Sequence, residues 1–247
     1  MTSSAPSAAA LAELYDLLNP WGRSDDFYLE LVLSARSVLD VGCGTGGLLH
    51  RAREAGHAGR LCGFDPDAGM LSRAQQWTDI EWVVTDAASA KWDREFELAV
   101  MASHAFQFLV TDDELRASLT AIRSALVDGG LFAFETRNPL LREWEQWVPA
   151  NSFSTVDAAG ASLRVEYDIE RPVVGDVVRV GETFVSPSWD GPHTEWASMR
   201  FLSVSALNAF LVEAGFVVEA QFGDWDRQPL TDTSSEIITL ARRVSER

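Results

Sequence analysis

Ser37-Val38-Leu39-Asp40-Val41-Gly42-Cys43-Gly44-Thr45-Gly46-Gly47 decides the fold. Its apolar beginning reads as a buried strand, and its glycines read as a loop that opens a helix, the arrangement used to seat a nucleotide cofactor at a helix N-terminus. Gly42, Gly44 and Gly47 satisfy the G-x-G-x-x-G spacing of dinucleotide sites, so spacing alone leaves two nucleotide classes open. Asp40 separates them. A carboxylate two residues before the first glycine would repel a pyrophosphate and attract an ammonium group.

Upstream, Leu11, Leu14, Tyr15 and Leu18 recur at helical spacing over Ala8–Leu18, and Asn19-Pro20 ends the run. A second helix is expected over 24–34. Downstream, the helix after the glycine loop runs to about residue 55, and strand and helix then alternate. The strands are expected at 61–65, 80–85 and 96–102, with helices at 66–77 and 111–126; Asp128-Gly129-Gly130 is expected to turn into a fifth strand at 131–136. This predicts a doubly wound parallel sheet.

Residues 151–202 change to period two without helices, most strictly in Leu163-Arg164-Val165-Glu166-Tyr167-Asp168-Ile169-Glu170. With further strands at Val177–Val185 and 193–202, this segment reads as an antiparallel insertion. A helix at 205–214 and two strands, Phe216–Phe222 and 235–242, complete the α/β pattern as seven strands, mainly parallel, with the insertion after strand five.

Composition narrows the partners. The 247 residues carry a formal charge of −17, with Lys91 the single lysine and the arginines scattered, so there is no basic stripe to follow a phosphate backbone. A small-molecule partner is expected rather than nucleic acid or a membrane. The first ten residues show no basic leader, and no run approaches the ~20 apolar residues of a membrane span, from which a cytoplasmic protein is expected. Cys43 and Cys62 are too few for a disulfide framework and have no metal-ligand spacing; no metal site is expected.

The motif Asp40-x-Gly42-x-Gly44-x-Gly46, with an acidic residue at each of the next two strand ends, resembles the class I S-adenosylmethionine-dependent methyltransferases. The resemblance covers about residues 37–137, and 204–242 is compatible with the end of that fold. It implies S-adenosylmethionine as cofactor. Asp40, Gly42, Cys43 and Gly44 would hold the methionine side, Asp65 with Pro66 the ribose, and Asp86 with Ala87 and Met70 the adenine. Met101 would lie beneath the reactive methyl, and Tyr15 and Tyr28 would form an aromatic rim.

Leu14-Tyr15-Asp16 and the insertion are similar to the subgroup containing glycine and amino-sugar N-methyltransferases. That similarity implies three parts: helices at 1–36 over the cofactor, a core at 37–150 and 203–247, and an insertion at 151–202 covering the acceptor cleft. A homodimer is compatible with it.

His104, Glu135 and Arg137 follow the fourth and fifth strands and are expected to open onto one cavity as the catalytic candidates, Arg137 binding an acceptor carboxylate or pairing with Glu135. The expected activity is methyl transfer to a nitrogen or oxygen of a small molecule, driven mainly by alignment. The competing readings are a catalytically silent cofactor-binding module, which a cleft plugged by Trp144, Trp147 or Trp196 would favour, and an NAD-dependent oxidoreductase, which Asp40 disfavours.

Overall fold

A computed structural model describes residues 6–157 and 160–245; the first five residues, on which part of the leader reading rests, lie outside them. Two helices come first, α1 (Ala8–Leu18) and α2 (Arg23–Ser34). Then strand and helix alternate: β1 (Ser37–Val41), α3 (Gly47–Glu54), β2 (Arg60–Asp65), α4 (Ala68–Ala74), β3 (Glu81–Val84), β4 (Phe96–Met101), α5 (Asp112–Ala125) and β5 (Leu126–Arg137). Four strands follow, β6 (Phe153–Val156), β7 (Ser162–Ile169), β8 (Val177–Val185) and β9 (His193–Arg200). The chain closes with α6 (Val204–Glu213), β10 (Phe216–Phe222) and β11 (Glu236–Arg243).

The main sheet has seven strands in the order β10-β11-β5-β4-β1-β2-β3, with β11 antiparallel to β5 and β10 antiparallel to β11. β1 is central, paired in parallel with β2 and β4. Its residues are apolar in both phases because both faces are covered. Val38 faces Phe27, Val32 and Leu49 of α2 and α3, while Leu39 and Val41 belong to the core with Leu115, Leu119, Leu207 and Leu211 of α5 and α6. Strands fixed in this way deliver their carboxyl ends to one edge of the sheet.

The insertion is a separate antiparallel four-stranded sheet, β6-β7-β8-β9. β6 is absent from the sequence expectation, since its four residues are too few and too exposed to show a period. β9 ends at Arg200 rather than 202, because Phe201 and Leu202 turn into two different apolar clusters.

Two other expectations are corrected. α4 starts at Ala68, not Pro66: the Asp67 carboxylate accepts the Gly69 and Met70 amides and so caps the helix after the proline. Asp128-Gly129-Gly130 is a bulge inside one long strand rather than a turn before it, for Leu126 already pairs with Phe96 and Leu131 with Leu98, while Gly129 takes φ +75°.

α1 is bound to the core through Asp16, which accepts hydrogen bonds from Thr45 of the glycine loop and from Arg73 of α4 at 2.6 Å. Beneath that loop Gly63 of β2 lies so close to its neighbours that an added Cβ would stand 2.6 Å from Trp82 and 2.9 Å from the Cys43 sulfur. Gly63→Ala is therefore expected to lower unfolding free energy by about 1–3 kcal/mol through overpacking, measured by denaturant titration. It should also weaken cofactor binding, because Cys43 belongs to the loop that must move.

Candidate active site

The glycine loop turns back after β1 with Gly42 at φ +71° and Gly44 at φ +55°, conformations that exclude most side chains and leave the backbone open to a ligand. Asp40, one residue before the end of β1, is 3% exposed and has no hydrogen-bond partner for its carboxylate among the described residues. Burial, then the negative field of Asp65, pushes its pKa up to about 7. The carboxylate lines a small cavity of about 110 Å³ with Tyr15, Asp25, Gly42, Cys43 and Ser103. An uncompensated buried carboxylate facing a cavity is a receptor for a cation. Burial also raises the Cys43 thiol far from any reactive range, so this cysteine is inert packing.

Asp65 ends β2. One of its carboxylate oxygens accepts the Gly44 amide and the other the Asp67 amide, both at 2.8 Å, which ties the ends of β1 and β2 together. Those two donors hold its pKa down against a larger upward shift from burial. Asp86, beyond β3, accepts the Ser89 amide at 2.8 Å and hydroxyl at 3.0 Å. Both carboxyl groups border a cavity of about 770 Å³, together with Tyr15, Gly42, Gly44, Pro66, Met70, Ala87, Met101 and Arg137. The smaller cavity adjoins it: Tyr15, Asn19, Gly42, Ala102 and Ser103 line both.

Three expected residues lie elsewhere. Tyr28 is fully buried under the sheet and donates its hydroxyl hydrogen bond to Glu135, so it is a core residue and not part of a rim. Glu135 is also fully buried; its second oxygen accepts the His104 amide at 2.7 Å. Burial raises its pKa, with the His104 and Tyr28 bonds opposing. The His104 ring pairs with Glu236 of β11 at 2.9 Å and does not line the cavity. The expectation that His104, Glu135 and Arg137 open onto one cavity holds for Arg137 alone.

The reason is a backbone turn. Ser103 and His104 both take positive φ, 56° and 57°, and a pair of left-handed non-glycine residues sends the histidine away and Ser103 forward. Glu135 fixes that turn from below. Ser103 then faces the ligand space beside Tyr15, whose pKa burial raises. Ser103 is missed by sequence reasoning that looks for ionisable groups.

Arg137 does reach the cavity. It bonds the Gln107 side chain at 3.0 Å, pairs with Glu143 at 3.4 Å and lies over the Trp147 ring; Glu135 is not its partner. Phe153, Tyr167, Glu182 and Met199 of the insertion line the same cavity, residues the sequence analysis did not select. None of Trp144, Trp147 and Trp196 plugs it: Trp144 packs on Phe201, Trp147 lies beside the same ring, and Trp196 is on an exposed face.

The strand order and the acidic strand ends around a glycine loop are those of the class I methyltransferase fold. Residues 38–130 match the family model described as a methyltransferase domain. A protein of Geobacillus sp. (strain WCH70) named as a methyltransferase is 24% identical over 85% of this chain and 85% of its own. In fold, an S-adenosylmethionine-dependent methyltransferase from Clostridium acetobutylicum ATCC 824 superposes with a TM-score of 0.77 at 17% identity, covering 95% of this chain and 98% of the other. A sugar N-methyltransferase from Streptoalloteichus sp ATCC 53650 gives 0.74 at 20% identity over 99% and 98%. Residues 38–130 are thus those of a methyltransferase domain, set in a chain with the class I methyltransferase fold.

The Asp40 pKa fixes the sign of a stability test. Its folded value, about 7, exceeds the ordinary carboxylate value of about 3.9, so the folded protein without cofactor binds the extra proton. It loses stability as pH rises between those two values, by at most about 4 kcal/mol. Asp40→Asn removes the titration. Denaturant unfolding without cofactor should therefore show the variant gaining on wild type as pH goes from 4 to 8; a difference independent of pH would refute this assignment.

Proposed function

We propose that the protein transfers the methyl group to a nitrogen of a free small-molecule acceptor held between the cofactor loops and the insertion sheet. One observation carries this reading. A single cavity of about 770 Å³ is lined by Gly42, Asp65 and Asp86 on one side and by Phe153, Tyr167, Glu182 and Met199 on the other, while His104 and Glu135 are committed elsewhere. A size of this order suits drug-sized ligands.

S-adenosylmethionine, when bound, supplies an electrophilic methyl on a sulfonium. Asp40 would hold its ammonium, the Gly42 and Gly44 backbone would border its methionine chain, Asp65 with Pro66 would hold the ribose, and Asp86, Ala87 and Met70 would hold the adenine. Met101, Ser103 and Tyr15 would border the methyl end. α1 shields that end from water, and exclusion of water together with alignment is the main catalytic contribution. A neutral amine needs no strong base to attack, which fits a cavity from which the best-placed histidine is turned away. The fold likeness to a sugar N-methyltransferase points the same way. A cytoplasmic setting and a homodimer complete this reading.

Calorimetry with S-adenosylhomocysteine and NAD, followed by methyl-transfer assays on matched amines and alcohols, tests it. S-adenosylhomocysteine should bind and NAD should not, and amines should be methylated in preference to alcohols. His104→Ala should lower turnover by less than about tenfold. NAD binding, a preference for alcohols, or loss of all turnover in a folded, cofactor-binding His104→Ala protein would overturn the proposal.

A further inference from the structure

The inner face of the insertion sheet carries a charge where its own pattern calls for an apolar residue. Leu163, Val165, Tyr167 and Ile169 of β7 and Val178, Val180, Glu182 and Phe184 of β8 alternate onto that face. On one side Leu163, Val165 and Phe184 pack with Leu14 of α1; on the other Ile169, Val178, Val180 and Met199 pack with Trp144 and Phe201. Glu182 lies between these two clusters, directly across from Tyr167 on β7 and from Glu195 on β9.

Burial raises the pKa of Glu182, opposed by the Tyr167 hydroxyl across from it and reinforced by the like charge of Glu195. It forms no ion pair among the described residues. Arg137, whose charge acts on Tyr167, is already bonded to Gln107 and Glu143. A carboxylate so placed, with a tyrosine hydroxyl as its neighbour and no ion-pair partner among the described residues, has acceptor capacity left over. That capacity faces the large cavity, where Phe108, Phe153 and Met199 supply apolar wall.

We propose that Glu182, beside Tyr167, is the acceptor-recognition carboxylate and that it takes a cationic amine carried on an apolar, ring-sized body, the ammonium giving one proton to that carboxylate before its neutral nitrogen attacks. A charge-assisted bond offsets the desolvation of Glu182 better than a neutral hydroxyl does. The surrounding aromatic and thioether surfaces accommodate the rest of the molecule. This inference rests on the methyltransferase reading and assigns the acceptor end of its site.

The probes are cyclohexylamine and cyclohexanol, titrated by ligand-observed NMR into protein saturated with S-adenosylhomocysteine. Wild type should bind the amine at least about tenfold more tightly than the alcohol, a difference of ~1.4 kcal/mol. Glu182→Gln should abolish that preference, and Tyr167→Phe should reduce it about threefold, with alcohol affinity within about twofold of wild type in both. Calorimetry should show unchanged S-adenosylhomocysteine affinity in both variants, which establishes that they fold and that the loss is local. Equal binding of the two probes to wild type, or an amine preference that survives Glu182→Gln, would overturn the subsite. Failure of wild type to bind S-adenosylhomocysteine would instead overturn the underlying methyltransferase reading.

Discussion

Asp40 is a buried carboxylate at the carboxyl end of the central parallel strand, with no counter-ion among the described residues and with Asp65 as its electrostatic neighbour. Placing a negative charge there costs folding free energy, and the surrounding architecture organises the remaining polar groups around it. Among the described residues Asp65 receives two donors, the backbone amides of Gly44 and Asp67, so main chain rather than neutralising cations holds the acidic edge. The glycine loop must bend back without side chains, and α1 must be held over it by a group outside the edge, which Asp16 supplies through Thr45 and Arg73. The result is a concave surface of negative potential beside open backbone, the electrostatic complement of a cationic cofactor.

The opposite side of the methyl end depends on a second buried carboxylate used in a different way. Glu135 is satisfied by Tyr28 and by the His104 amide, and it holds two consecutive left-handed residues in a turn that costs on the order of 1–3 kcal/mol per residue in isolation. That strain directs Ser103 to the ligand space and sends His104 to Glu236. Asp40 and Glu135 are both buried acids, on β1 and β5, the two strands that flank β4. The first is left open to a ligand, and the second is closed off by protein donors to fix backbone geometry.

The parallel sheet and the ends of β1, β2 and β3 are legible in the sequence because these strands are closed by a glycine or an acid, and Asp40, Asp65 and Asp86 stand at those closures. Direction at a turn is not legible in the same way. His104 stands out as a titratable group beyond β4, but which of two adjacent residues faces the cavity is decided by backbone dihedrals that Glu135 enforces from another strand. Tyr28 is similar: its helical spacing is visible, whereas its partner is 107 residues away. Glu182 was within reach, since it breaks the apolar phase Val178, Val180, Phe184, and an acid in that phase is a stronger signal than Glu166 and Asp168 in the opposite phase of β7.

The central claim, that Asp40 is kept uncompensated to receive the cofactor's ammonium, is tested most directly by proton release on binding. S-adenosylhomocysteine is titrated calorimetrically at pH 6 in buffers of different ionisation enthalpy. With Asp40 near 7 in the free protein and ionised in the complex, wild type should release close to one proton per ligand bound, and Asp40→Asn should release none. Binding without proton release in wild type, or an undiminished release in Asp40→Asn, would contradict the account.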